Sequence, residues 1–457
     1  MQWARSSRRL RNFVGRAGRL LPIGTALSIL AGCADDRPPS PTSDNTSIDK
    51  VVTETPDTER TPSEGSVARD AGVDGSVADA AAARDGATAE GGGPTLPDRP
   101  MSAPAGSERL VVTDARANKL YVVDSATFTT VLELDAELGS HVVAGPSAHF
   151  AYVWSGLGGL KVLDGGLRID VPRAGRGEAV LSLQAPAWLD LTVEGLGPRA
   201  VSVGGDTLAV SFSQEPRAAF FTEKDLPTAI AAADVSTGVV HDGVALSVGD
   251  LQVVSQGHDE PMPSTLRAVD ANTDVPGCTN PRLAAAAPNA GAVVCDEGFA
   301  YLTKSNTKTL LSRIERMADE PISVLVGARD APVFAAIAGD GHEVVVLSGT
   351  SGGRAHFDVR AVAVAFAPGG KQVLTLLESG ELALFSTTTL TDSPMRVATG
   401  CASTGDALRP AIFHGAHAVY LTCPSQGEVR ELTQGTYEPG PVHKLGVAPL
   451  ELVTLTF

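Results

Sequence analysis

His414 and His417 stand three positions apart around Gly415-Ala416, a pair that could turn a hairpin. Directly opposed strand residues hold their Cβ atoms roughly 5 Å apart, close enough for two imidazoles to share a metal ion. Two ligands make a weak site, and no third His or Cys lies nearby, so His414 and His417 are weak metal candidates only. His258-Asp259-Glu260 is a second polar cluster, in a loop ahead of Pro261. Gly349-Thr350-Ser351-Gly352-Gly353 has the spacing of a nucleophile elbow, which needs a strand, a sharp turn and a helix. Here an apolar run precedes it and a polar stretch leads to another strand, which is the setting of a hairpin loop. Gly369-Gly370-Lys371 lacks the earlier Gly and the following Ser or Thr of a phosphate-binding loop. Asp164, Asp190 and Asp206 read as turn or strand-end carboxylates. No catalytic set emerges, and the chain is expected not to be an enzyme.

The five cysteines carry more information. Cys33 follows Leu30-Ala31-Gly32 at the end of a short apolar run that begins at Leu20. Six arginines precede that run, at positions 5, 8, 9, 11, 16 and 19. A basic region followed by an apolar run too short to span a bilayer is an export signal. The residues around Cys33 resemble the bacterial lipobox, in which that cysteine is acylated and becomes the mature N-terminus. Ser7-Arg8-Arg9-Leu10-Arg11 is similar to a twin-arginine motif, but Arg11 replaces the apolar residue it needs, so ordinary secretion is expected. Ala34 is not the Asp that marks inner-membrane retention in enteric bacteria, which favours the outer membrane of a bacterial envelope. The remaining four, Cys278, Cys295, Cys401 and Cys423, are separated in an exported chain by local spacings. They are expected to form two disulfides, Cys278–Cys295 and Cys401–Cys423, each within one blade of the fold argued below. No C-x-x-C pair supports a four-cysteine metal site.

These groups need a scaffold. The 457 residues are 43% hydrophobic, 19% charged and 5% aromatic, with 48 Gly and 30 Pro. That length can bury a core, and the Gly and Pro content fits short strands and many turns better than helix bundles. The net charge of −17, with no basic stretch beyond the N-terminus, excludes nucleic acid as a partner. Loss of residues 1–32 with their six arginines takes the charge to about −23. Residues 33–107 comprise Cys33 and a segment rich in Asp, Ala, Gly, Pro and Ser without a single aromatic residue. Such composition cannot offset its ordering entropy and predicts a disordered tether, with a span of roughly 50 Å. Its Asp-Gly pairs lack the alternating acids and distal Glu of a calcium loop.

From Glu108 onward, apolar runs of four to eight residues alternate with turns: Leu110–Thr113, Leu120–Val123, Val131–Leu134, Phe150–Val153. This spacing predicts an all-β fold. Ile230–Ala233 is the exception, expected as a helical turn. The turn and strand of Gly145–Val153 recur as Ala367–Leu374 and Gly339–Val346, and Leu160–Gly166 recurs as Leu382–Ser386. A repeat of about 40–50 residues is that of a four-stranded propeller blade. Residues 108–457 therefore predict a β-propeller of antiparallel four-stranded blades, seven within a range of six to eight. The strand near Leu450–Phe457 should complete a blade with an early strand.

No Trp-Asp pair occurs, and the Gly-Gly pairs lack the Tyr and Trp of kelch blades. Leu120-Tyr121-Val122-Val123-Asp124 and Ala151-Tyr152-Val153-Trp154 resemble matching strands of the YVTN propellers. Two longer elements narrow the likeness. One is Leu163-Asp164-Gly165-Gly166-Leu167 with Leu196–Asp206; the other is Pro276-Gly277-Cys278 with Val293–Gly298. Both resemble periplasmic zinc-chaperone propellers that pass zinc to the binding protein of a zinc ABC transporter, over most of residues 108–303. In that family a His- and Asp-rich loop after Asp-Gly-Gly-Leu supplies zinc ligands. Here Arg168–Gln184 holds no His, leaving only Asp170 and Glu178, so the resemblance implies fold and compartment rather than zinc transfer. The resulting expectation is a lipid-anchored, non-enzymatic binding module for a protein or small ligand, with no cofactor. A zinc carrier is the alternative, and a lactonase- or quinoprotein-type enzyme the second one.

Overall fold

The computed structural model describes residues 108–156, 158–170, 180–257, 265–304, 310–316, 321–349, 352–389, 394–403 and 408–456. The expected export signal, Cys33 and the expected tether lie outside them, as do His258, Asp259, Glu260, Thr350 and Ser351. Of residues 169–181 only the backbone of 169, 170, 180 and 181 is described.

The described residues form an eight-bladed β-propeller of four-stranded antiparallel sheets. Blade 1 takes its innermost strand from the far end of the chain: Pro449–Leu455, then Arg109–Asp114, Lys119–Asp124 and Thr130–Asp135. The closing pair runs antiparallel with Arg109 opposite Leu455 and Val111 opposite Val453. Blades 2 to 8 start at the innermost strands His141–Ala144, Pro198–Gly204, Ala245–Val248, Leu283–Ala287, Ile322–Gly327, Ala361–Phe366 and Ile412–His414. Blade 2 alone among the described residues carries an insertion, a hairpin of Leu167–Asp170 and Val180–Leu183 between its third and fourth strands.

Eight blades lie at the top of the expected range, one above the seven expected. The blades are compact: blade 5 places four strands within Leu283–Arg316. The apolar runs are strands as expected, and the reason is burial on both faces. A middle strand lies between two neighbouring blades, so Gln372–Leu377 buries every residue after its first. Val344, Val346 and Phe357 of blade 6 pack with Val373 and Phe385 of blade 7. Burying one such side chain fully contributes about 1.5–3 kcal/mol. Outer strands face solvent and alternate, as in Thr130–Asp135. Ile230–Ala232 is not helical and leads directly into the outer strand Ala233–Ser236 of blade 3.

The repeats map unevenly. The turns at Gly145 and Ala367 both follow an innermost strand, whereas the turn at Gly339 lies between the second and third strands of blade 6. Leu120–Asp124 is the third strand of blade 1, while Ala151–Trp154 belongs to the second strand of blade 2, so these two segments are not equivalent.

Two blade junctions carry the same lock. Between blades 2 and 3, the Glu223 carboxylate accepts hydrogen bonds from the Ser147 amide at 2.8 Å and the Tyr152 hydroxyl at 3.0 Å. Between blades 8 and 1, Glu108 accepts from the Ala416 amide at 2.7 Å and the Tyr420 hydroxyl at 2.9 Å. Glycine is required beside each carboxylate. A Cβ on Gly415 would lie 2.6 Å from Glu108 Oε1, and one on Gly145 would overlap the Glu223 carboxylate. Burial and the adjacent carboxylate push both phenols well above the ordinary tyrosine range.

Candidate functional site

Disulfides join Cys278 to Cys295 and Cys401 to Cys423, with Cα separations of 5.2 Å and 5.5 Å. Neither lies within a blade, which corrects the sequence expectation. Cys278 is on the outer strand of blade 4 and Cys295 on the second strand of blade 5. Cys401 follows the outer strand of blade 7, and Cys423 ends the second strand of blade 8. The outer strand of one blade hands the chain to the innermost strand of the next, so about twenty residues separate positions on facing sheets. Beside the first bridge, Glu297 accepts from both the amide and the hydroxyl of Thr279, at 2.9 Å and 2.6 Å.

The two candidate histidines do not converge. His414 is opposite Val419 in the strand pair, and His417 projects from the turn into solvent. His414 Nδ1 lies 3.0 Å from the Gly415 carbonyl, and Nε2 is buried without a partner. Burial lowers the His414 pKa below the ordinary imidazole value. Among the described residues, no group of three or more His, Cys, Asp or Glu side chains is placed to hold a metal ion. Asp164 is more than a turn carboxylate. It is 6% exposed, pairs with Arg168 at the base of the inserted hairpin, and accepts from the Gly166 amide at 2.7 Å. Asp190 and Asp206 are exposed.

A cavity of about 600 Å³ lies on the propeller axis between the innermost strands of blades 2, 3, 5 and 6. Its walls are small and apolar: Val143 of blade 2, Val201 and Val203 of blade 3, Ala284 and Ala286 of blade 5, Leu325 of blade 6. At one rim, the turn after the innermost strand of blade 6 places Arg329 and Asp330 on the cavity. Among the described residues they are its only charged lining residues. The Arg329 guanidinium reaches the carbonyls of Gly145 and Pro146 in blade 2, each at 3.4 Å. Blades 2 and 6 are opposite members of an eight-blade ring, so this side chain spans the mouth. Asp330 Oδ2 accepts the Gly369 amide of blade 7 at 3.2 Å. Sequence reasoning missed Arg329, because Ala328-Arg329-Asp330 in a turn looks like any solvated loop.

No helix among the described residues is long and apolar enough to cross a membrane. The architecture and the axial cavity define a propeller with a ligand-sized channel. Among solved structures, that of AztD from Citrobacter koseri is similar at 19% identity and a TM-score of 0.66, covering 76% of this chain and 97% of that one. Apo AztD from the same organism gives 20% identity, a TM-score of 0.67 and the same coverage. The likeness is one of fold and extends around the whole ring, beyond the residues that carry the sequence resemblance. No protein-family model and no curated protein sequence matches the chain.

Proposed function

We propose that the protein is an exported, non-enzymatic binding propeller that carries a cargo in the bacterial envelope and passes it to a partner. The observation that supports this most is the fold likeness to AztD across 97% of those chains. The sequence elements that resemble zinc-chaperone propellers point the same way. Carriage is favoured over a passive scaffold, and zinc is the first cargo to test. The described side chains do not themselves form a zinc site, because His414 and His417 stand apart and no third donor joins either. Calorimetric titration of zinc into the full chain is the direct test. Binding at micromolar Kd or tighter supports zinc as cargo, and no binding removes it.

Cys33 is proposed as the lipid anchor, holding the propeller on a membrane, in the outer membrane by the Ala34 argument. Replacing Cys33 with Ser should move the protein from the membrane fraction to the soluble one. A propeller enzyme of lactonase or quinoprotein type is the rival, since such enzymes use a metal or cofactor in the channel. Lactone turnover or a bound quinone in the purified protein would establish it.

A further inference from the structure

We propose that the axial channel binds one small organic anion, a carboxylate with an aliphatic or aromatic body, and that Arg329 receives its head group. This goes beyond the cargo reading and does not depend on zinc.

Three observations meet at this place. First, the cavity volume of about 600 Å³ lies in the range of small-molecule sites, and such sites are largely apolar with a few placed polar groups. Val143, Val201, Val203, Ala284, Ala286 and Leu325 supply most of the apolar wall, and Phe413 adds an aromatic ring to it. Second, among the described residues no carboxylate pairs with Arg329. Its neighbours are two carbonyl oxygens at 3.4 Å, long for hydrogen bonds. A carboxylate offers two short, charge-assisted bonds to the same planar fork, and such bonds are roughly twice as strong as neutral ones. An arriving anion therefore replaces weak contacts with strong ones. Third, Asp330 lies beside Arg329 on the rim but forms no ion pair with it. Its carboxylate is engaged by the Gly369 amide of blade 7 at 3.2 Å.

The ligand class follows from the arrangement. The apolar body enters the bore and leaves water, while the head group stays at the rim where Arg329 spans the mouth. A bare cation meets a guanidinium there, and a neutral apolar molecule gains nothing from it.

The test uses the full chain and two probes of equal length, decanoate and decanol, titrated by calorimetry well below the micelle range. The expected result is one decanoate per chain at micromolar Kd, at least tenfold tighter than decanol. Arg329→Met should weaken decanoate at least tenfold and leave decanol unchanged, and Arg329→Lys should fall between. Val203→Trp, which fills the bore, should remove both. Ala284→Leu intrudes less and replaces it if Val203→Trp does not fold. Absence of decanoate binding, equal affinity for decanol, or an unaffected Arg329→Met variant overturns the proposal. Decanoate binding that survives a filled bore also overturns it. A failed zinc titration leaves all of these outcomes as they stand.

Discussion

The Glu223 lock and the Glu108 lock use the same atoms in the same roles, yet at different depths. Each carboxylate takes one backbone amide from the turn after an innermost strand and one hydroxyl from a tyrosine on the next strand. Glu223 is half-buried, whereas Glu108 is fully buried. The deeper lock is where the chain's two ends meet. Blades 2 and 3 are joined by continuous chain, but blades 8 and 1 meet where the strand Pro449–Leu455 must pair with residues over 300 positions earlier. Leu110, Val112, Tyr420 and Val429 pack together across that junction. The surroundings differ too. Glu431 lies near Glu108, and its pKa is raised by burial and by the Glu108 charge. The comparison teaches that a repeated motif takes its energetic weight from burial and from chain connectivity.

The largest effect should come from Glu108→Ala. It leaves the Tyr420 hydroxyl and the Ala416 amide buried without an acceptor, and a loss of about 3 kcal/mol is expected in urea unfolding. Glu223→Ala should cost less, about 1–2 kcal/mol, because the freed Ser147 amide lies at the surface and can bond to water, leaving the Tyr152 hydroxyl as the group without an acceptor. Equal losses would mean that depth is not the difference between the junctions. Next comes the close glycine. Gly415→Ala and Gly145→Ala should each destabilise by displacing a carboxylate, and less so once that carboxylate is already gone. A double-mutant cycle should show coupling of about 1 kcal/mol in both pairs. Strict additivity would show that the glycine acts without the carboxylate.

The smallest effect is on pH. Burial lowers the pKa of His149, His414 and His443. A lowered folded value means stability that is present above the unfolded value of about 6.5 and is lost as pH falls. His141 opposes them. Its hydrogen bond with Glu451 at 2.7 Å raises its pKa, so its contribution is full below about 6.5 and fades as pH rises. With three histidines against one, the melting temperature should fall between pH 7.5 and 5.5, less steeply at the acid end if Glu431, whose pKa is raised, takes up its proton there. Glu451→Gln should steepen that fall, and a flat profile would contradict the balance. His414 and His443 flank the Glu108 junction, so this measurement also weighs it against the rest of the ring.

Much of the fold was legible because middle strands bury both faces. Runs such as Leu120–Val123 stand out from their polar turns for that reason. The closing strand near Leu450 was legible as one more apolar run left without a partner. The cysteine pairs could be read from separation, but their crossing between blades could not, because separation alone does not tell where one blade ends. The number of blades was blurred by the inserted hairpin of blade 2 and by loops of unequal length. The channel was invisible. Arg329 and the Gly145 carbonyl are 184 positions apart, and only ring closure makes them neighbours. Glu108 was legible as the start of the ordered texture, but nothing in one sequence tells that its side chain reaches Ala416.

Glu108 reaches the turn that follows the innermost strand of blade 8, and Arg329 sits in the corresponding turn of blade 6. Both are therefore on the same rim. Glu108, the first described residue, therefore enters the ring on the side where the bore opens under Arg329. The turns on that rim thus do two jobs at once: one seals the ring where its ends meet, and another borders the way into the bore.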